Sequence, residues 1–549
     1  MLISKKKKMK KLFLYSSIAL AAFTTSCREM DDNISPNNVL PEELSPRQMI
    51  TAAENYVFST QAGTLNSLSN VWTNTWAGNY YYYGNPLTLQ YSLDISNTFS
   101  TGIWTSSYVA GANLQNIIDN GSKLPMHSAI ARILKAYTMQ YVVDFYGDVP
   151  YSEAFKRQAN LTPKYDNDTE IYKNLVLEIN QAIADIDATL PVLNNDNKVT
   201  TAEDVIFQGD MEKWKKFAKN VKLRILLRQS KVTDATTRTF VDAQLSTLAT
   251  ANPADFFLTD VTIQPGYNNS NGSTSNPLFS NYGAVNYQGG SLNNSGWRLY
   301  KVSQFYANNV NGTTYPGSTD LRGSTQFRRL ATNNNQQAAT SVAGIKQGGA
   351  KPATGNEWSV SYLGWKFINN NADLYAMLAA GDTEAGARIA KAGASMDGYL
   401  ALDAENRLLL AEAAVLYPAK FTYDAKALYT QAVQNSFTFY GLTTAQADTY
   451  LTGLDTKAVG WTGASDKIKA IQYQRLVSLA NIRQVETYVN YLKTGYPEIP
   501  LAEGAMYPNK PYRLIYPSSE YVGNSANVPN LVQSQAFSKN QYTPFWNQN

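Results

Sequence analysis

Between residues 130 and 145, Ile130, Ile133, Leu134, Tyr137, Tyr141, Val142 and Phe145 recur at the i, i+3, i+4, i+7 spacing of one buried helix face. This period constrains the fold more than any other feature of the chain. Gly147 is a good left-handed terminator, and Pro150 forbids continuation. Tyr172, Leu175, Ile179, Ile183, Ile186 and Leu190 predict a second helix over Tyr172–Leu190, with Pro191 after it. A third is expected over Met211–Ser230, with Asp210 as its N-cap. From about Tyr399 to Gly495 the period returns in three stripes. Leu402, Leu409, Ala413 and Leu416 form the first, and Tyr429, Ala432, Val433, Ser436 and Tyr440 the second. Ile468, Ile471, Leu479, Ile482, Val485, Val489 and Leu492 form a long third. The fold class is therefore mainly α.

Consecutive amphipathic helices with short polar turns and alanine at contact positions suggest helix pairs of the tetratricopeptide kind. Residues 251–398 differ. Pro265 to Pro277 has neither hydrophobic period and is crowded with turn formers, so a large loop-rich insertion is expected over the helical scaffold. That insertion carries Trp297, Trp358 and Trp365, which a linker would not need. The tail from Tyr496 is again irregular. A single domain over 47–549 follows, helical in 47–250, loop-rich in 251–398, helical in 399–495 and irregular in 496–549.

The 549-residue chain opens with six lysines between Lys5 and Lys11, then the apolar stretch Leu12–Phe23, too short to span a bilayer. Thr24-Thr25-Ser26 precedes Cys27, the chain's one cysteine. This pattern reads as a lipoprotein signal peptide over 1–26, with Cys27 as the acylated N-terminus; Thr24 stands where the lipobox prefers leucine. Residues 27–46, acidic at Glu29, Asp31 and Asp32 and then rich in Pro and Asn, suit a flexible tether. Removal of the leader takes away six positive charges and no negative ones, turning the formal +4 into about −2. No Lys/Arg block remains to track a phosphate backbone, so nucleic acid is not an expected partner. One Cys and one His exclude Cys/His zinc sites, disulfide frameworks and Fe–S clusters, and no Gly-rich phosphate loop stands at a strand end. No cofactor is expected.

The segment from Trp72 to Pro86 holds Trp72, Trp76 and Tyr80 to Tyr83 among Asn, Gly and Thr, with no helical stripe. Flat rings with polar tips beside amides suit a sugar chain or an extended peptide. Trp72, Trp76, Tyr80, Tyr82, Trp297 and Trp358 are the candidate ligand-binding residues. Asp144, Asp148 and Glu153 invite a hydrolase reading through paired carboxylates, although their place at a helix end and turn favours capping and bridging. Asn194-Asn-Asp196-Asn lacks the spacing of a calcium loop and reads as a turn. His127, following Pro125-Met126 at a helix start, reads as incidental.

Ala131-Arg-Ile-Leu-Lys-Ala-Tyr137, running into Val143-Asp-Phe-Tyr-Gly-Asp-Val-Pro-Tyr-Ser-Glu-Ala154, resembles the SusD/RagB family of Bacteroidetes outer-membrane lipoproteins. Further matches follow in the family's order. They are Pro163-Lys-Tyr-Asp166, Glu170-Ile-Tyr172, Asp204 to Asp210 with Trp214 and Lys222-Leu-Arg224, and Asp403 to Arg407 with Ala411-Glu-Ala413. Ile471-Gln-Tyr-Gln474, Thr494-Gly-Tyr-Pro497 and Tyr512 to Glu520 with Asn524 complete the series. Tyr491-Leu-Lys493 departs from the family's usual aromatic followed by arginines, a change expected to affect packing. The resemblance implies a SusD-like helical fold, nutrient capture without catalysis, and a SusC-like TonB-dependent transporter as partner. The acidic run after Cys27 also resembles the surface-export signal of Bacteroidetes lipoproteins, which implies an outer-membrane anchor facing the exterior. The family fixes no ligand: glycan is the first expectation, oligopeptide the second. A secreted hydrolase and a purely structural interaction protein are the alternatives.

Overall fold

The computed structural model describes residues 44–156, 159–329 and 341–548. The leader, Cys27 and most of the tether lie outside them. The chain divides into two units, Met1–Ser45 and Pro46–Asn549, and the second is the subject here.

Its long helices are α1 (Pro46–Thr60), α2 (Asn66–Trp72), α3 (Gly102–Asp119), α4 (Pro125–Tyr146), α5 (Asp168–Thr189), α6 (Met211–Arg228) and α7 (Ala235–Ser246). After the loop-rich stretch come α8 (Asn371–Ala380), α9 (Thr383–Ala394), α10 (Asp403–Leu416), α11 (Ala425–Phe439), α12 (Thr444–Leu454), α13 (Lys467–Ser478) and α14 (Gln484–Thr494). Helix α4 starts with Pro125 in its first turn and stops at Gly147, whose φ of 68° only glycine adopts freely. Asn167 caps α5 through a bond from Thr169 N, and Asp210 caps α6 through Lys213 N, as its sequence position predicts.

Sequence periodicity predicts one buried face on α4, but the helix is buried on every side from Met126 to Tyr146 except at Arg132. The reason is its central position: α3 and α5 pack along it, and α1 and α6 close the remaining sides. Helices α10 and α11, α11 and α12, and α13 and α14 likewise pack as consecutive pairs, with α13 also against α10. The mainly helical architecture read from the sequence is what the chain adopts.

The third C-terminal stripe is not one helix. Leu479–Arg483 breaks it into α13 and α14, and Asn481 at the break has φ 71°. Its amide explains the break. Oδ1 accepts from Trp76 Nε1 at 2.6 Å, Nδ2 donates to Gln326 O at 3.0 Å, and the backbone N–H reaches Asn70 Oδ1 at 3.0 Å. Asparagine tolerates the left-handed region, and these bonds satisfy a buried polar group.

A buried ionic network ties the two helical blocks together. Arg483 grips Glu405 with two bonds of 2.8 and 3.0 Å, and Arg475 and Lys493 each reach Glu412 at 2.6 Å. Arg228 bridges Asp144 and Glu486 at 3.3 and 3.2 Å. Lys493, the departure from the family pattern, thus acts in packing. Burial pushes the Glu412 carboxyl up, but Lys493 and Arg475 outweigh it and hold the group at about 2.

Among the described residues, six short strands form two sheets. Strands β1 (Trp76–Gly78), β3 (Tyr300–Val302), β5 (Tyr362–Leu363) and β4 (Phe327–Arg328) lie antiparallel in the order β1-β3-β5-β4. Their register pairs Gly78 with Tyr300, Lys301 with Tyr362, and Phe327 with Leu363. Strands β2 (Val261–Ile263) and β6 (Gly398–Ala401) pair separately, with an irregularity at Val261/Thr262. The four-stranded sheet gathers widely separated segments of the loop-rich stretch beside the aromatic loop that follows β1.

Candidate functional site

Strand β1 leads directly into the loop containing Tyr80 to Tyr83. Gly78 permits the turn: a Cβ there would stand 2.5 Å from Pro86 Cγ, so the loop closes back onto the strand only with glycine. Antiparallel pairing brings the start of β3, with Arg298 just before it, to the same end of the sheet as the loop. Glu357 and Trp358 precede β5, and Glu357 joins the cluster through its bonds with Arg298.

The cluster is built around one ion pair. Arg298 donates to both Glu357 oxygens, at 3.0 Å from Nε and 2.6 Å from Nη2, while Asn79 Nδ2 reaches Glu357 Oε2 at 3.2 Å. The guanidinium carbon lies 3.5 Å from the ring centroid of Tyr82, a cation–π contact on a side chain that is still 42% exposed. Tyr83 meets Tyr82 edge-on at 4.7 Å and donates its hydroxyl to Asn294 O. Tyr81 donates to Thr354 O at 2.9 Å. Burial pushes the Glu357 carboxyl up, but the bonds from Arg298 more than reverse this and leave it below the usual carboxylate range.

Beneath lies an aromatic column. Trp297 stacks on Tyr362 at 4.2 Å and 10°, and the partly exposed Trp358 leans on the same ring at 5.3 Å. The Lys301 ammonium sits on the Tyr362 face and donates to Glu357 O at 3.1 Å. Burial pushes Lys301 well below the usual lysine range. The exposed upper layer offers ring faces, amides and a held ion pair, the chemistry of stacking and hydrogen bonding.

The six sequence candidates therefore separate. Tyr82 and Trp358 stand in this cluster with exposed surface, and Trp297 supports it from within. Trp72, Trp76 and Tyr80 are buried elsewhere. Trp72 stacks on Phe99 at 5.7 Å and donates to Gln90 O; Trp76 packs against Tyr282 and Tyr300 and bonds Asn481; Tyr80 lies beside Tyr91. As surface contacts for a ligand these three, with Trp297, are corrected, since protein already covers their faces. Sequence reasoning missed Arg298 and Glu357. The available signal was their adjacency to Trp297 and Trp358.

The carboxylates considered for hydrolysis are each engaged separately. Asp144 is buried, bonded by the Tyr172 hydroxyl and paired with Arg228. Asp148 accepts from Asp168 N at 2.9 Å at the start of α5, and Glu153 accepts from Lys164 N and Asn160 Nδ2. In the Asn194–Asn197 turn, Asn194 Oδ1 accepts from Asp196 N and Asn197 N. His127 is buried, with Nε2 3.5 Å from Glu203, and burial lowers its pKa.

A family model named SusD-like and described as starch-binding, associating with outer membrane, matches residues 36–517. This chain belongs to the SusD-like family. Solved SusD homologues share the fold. A chitin-binding SusD homologue from Flavobacterium johnsoniae is 19% identical, with a TM-score of 0.61 over 87% of this chain and 94% of its own. A SusD homologue from Bacteroides uniformis is 20% identical, with a TM-score of 0.60 and the same coverage. A SusD/RagB family protein from Bacteroides thetaiotaomicron is 17% identical, with a TM-score of 0.61 over 88% and 95%. No curated protein sequence matches the chain. The motifs that carry the SusD/RagB resemblance supply Asp144, Arg224, Glu405 and Glu412, all members of the buried network or in contact with it. The SusD-like signature in this sequence is thus a signature of scaffold.

Proposed function

We infer that this protein captures oligosaccharides at the outer membrane, holding them on the cluster of Tyr82, Arg298, Glu357 and Trp358. One observation carries the reading: exposed aromatic surface and a fixed Arg298–Glu357 pair stand together beside the small sheet. Sugar rings present C–H faces to aromatic rings and hydroxyls to such charged and amide groups. The family's description as starch-binding and the chitin-binding homologue support a glycan over an oligopeptide. Cys27 is the proposed lipid attachment, residues 27–46 the tether, and a SusC-like TonB-dependent transporter the partner that receives the cargo on the cell exterior. Capture and delivery break no bond, so the role asks for no catalytic residue. Among the described residues no helix is long and apolar enough to cross a membrane.

Titration calorimetry of the mature chain against starch- and chitin-derived oligosaccharides and a panel of oligopeptides tests this. Glycan binding that Tyr82→Ala and Trp358→Ala weaken is the expected result. Binding to neither class, or to peptides alone, overturns it.

A further inference from the structure

A second recess lies beyond the opposite end of β5. Trp358 precedes that strand and Trp365 follows it, so the two tryptophans mark its two ends. Trp365, Lys366, Arg328 and Asn369 to Asn371 line a cavity of about 510 Å³, within the ~300–1,000 Å³ of small-molecule sites.

Its charge is unbalanced. Arg328, at the end of β4, is more than half buried, and among the described residues no carboxylate pairs with it. Lys366 donates to Tyr399 Oη at 3.1 Å and lies 5.2 Å from the Trp365 ring, likewise without an ion pair among the described residues. Two nearby acids are already engaged: Asp373 by Arg388 at 2.7 Å and by Asn369 and Asn370, and Asp260 by the Asp403 N–H. A partly buried arginine without a counter-charge is costly unless an anion completes it.

Two more observations converge on the same walls. Asn371 Oδ1 is buried and has no hydrogen-bond donor among the described residues. Trp365 and Asn369 both hold left-handed backbone, at φ 52° and 57°. Asparagine tolerates that region and tryptophan does not, so strain is concentrated where the ring enters the cavity. Trp365 itself leans on Phe439 at 5.1 Å, which fixes its orientation.

We propose that this cavity is a binding site for an acidic saccharide unit, a sugar ring bearing a carboxylate. The carboxylate pairs with Arg328 and Lys366, the ring lies against Trp365, and a hydroxyl donates to Asn371 Oδ1. The inference deepens the glycan reading by naming a charge class, but it rests on different residues from the Tyr82 cluster.

Calorimetry of the mature chain with tetragalacturonate and the matched neutral galacto-oligosaccharide tests it, with sodium acetate as a control for simple anion binding. Expected results are uronate binding that falls at least tenfold in Arg328→Gln and in Lys366→Gln and weakens in high salt. Lys366 is exposed, so its variant carries the test if Arg328→Gln does not fold. Equal affinity for charged and neutral oligomers, uronate binding indifferent to both substitutions, or acetate binding as tightly as the uronate would overturn the proposal. Neutral-glycan binding lost in Tyr82→Ala while uronate binding fails everywhere would sink this site alone. Uronate bound through Arg328 and Lys366 with no neutral glycan bound anywhere would instead count against the Tyr82 platform.

Discussion

The indole N–H of Trp76 donates to Asn481 Oδ1 across 2.6 Å, joining strand β1 to the break between α13 and α14. The two residues are 405 positions apart, and both are buried. A ring that sequence composition assigns to a ligand is thereby a link between the loop-bearing sheet and the helical scaffold.

Asn481→Leu should therefore destabilise the fold strongly. It leaves Trp76 Nε1 without a partner, removes one of the two bonds that Gln326 O accepts, and places a γ-branched side chain at φ 71°. A loss of about 3–5 kcal/mol is expected from the unpaired indole, the lost carbonyl bond and the backbone strain together. Urea denaturation followed by tryptophan fluorescence measures it; a loss under about 1 kcal/mol would show the link to be dispensable.

Tyr82→Ala and Trp76→Ala should separate binding from folding. The first removes an exposed ring and is expected to weaken glycan binding about tenfold or more while stability stays within about 1 kcal/mol. The second empties a buried site and should cost about 3–5 kcal/mol. Thermal melts beside calorimetry distinguish the two, and a glycan defect confined to Trp76→Ala would reverse the assignment.

Glu412→Ala strands Arg475 and Lys493 in the core without a counter-charge. About 3–5 kcal/mol of stability should be lost. Glu170→Ala, which breaks the exposed pair with Lys173, should cost less than about 0.5 kcal/mol. Chemical denaturation of the two variants checks the contrast, and similar losses in both would contradict it.

Burial, reinforced by the neighbouring Asp148, pushes the Asp168 carboxyl from the ordinary value near 4 up to about 7. The folded state then holds this proton more tightly than the unfolded chain. Stability from this group is full below pH 4, falls as pH rises to about 7, and is level above; a decline of about 4 kcal/mol is expected. Asp168→Asn can retain the acceptor for Phe545 N and should flatten that slope. Urea midpoints at pH 4 to 8 for both proteins provide the comparison, and an unchanged slope in the variant would exclude Asp168 as its source.

Cys27→Ala should move the protein from the membrane fraction to the soluble one, since the leader is too short to serve as a spanning anchor. Fractionation of cells expressing each form reads the outcome. Continued membrane association of the variant, with the transporter absent, would remove the lipid-anchor reading.

The scaffold was legible because helices announce themselves locally. Stripes at Ile130–Phe145 and Tyr172–Leu190, the stop at Gly147 and the cap at Asp210 each follow from neighbours a few residues apart. The break at Asn481 was not legible, since the hydrophobic period runs on through it and its cause lies at Trp76, Asn70 and Gln326. The proposed ligand face was half legible. Aromatic richness pointed to the loop after β1, but whether a ring is covered depends on partners such as Phe99, Tyr282 and Tyr362, which only the folded chain supplies. Arg298 and Glu357 are 59 residues apart, too far for spacing to reveal a pair.

The four-stranded sheet contributes only two or three residues from each strand, while the segments hung from its ends hold the residues that meet solvent. Mutational drift in those segments disturbs few main-chain bonds, whereas drift in α4, α6, α10 or α14 strikes buried ions. Diversification of the exposed surface and preservation of architecture are thus assigned to different parts of one chain, and a new specificity can arise by exchanging a loop at a strand end without refolding the body that carries it.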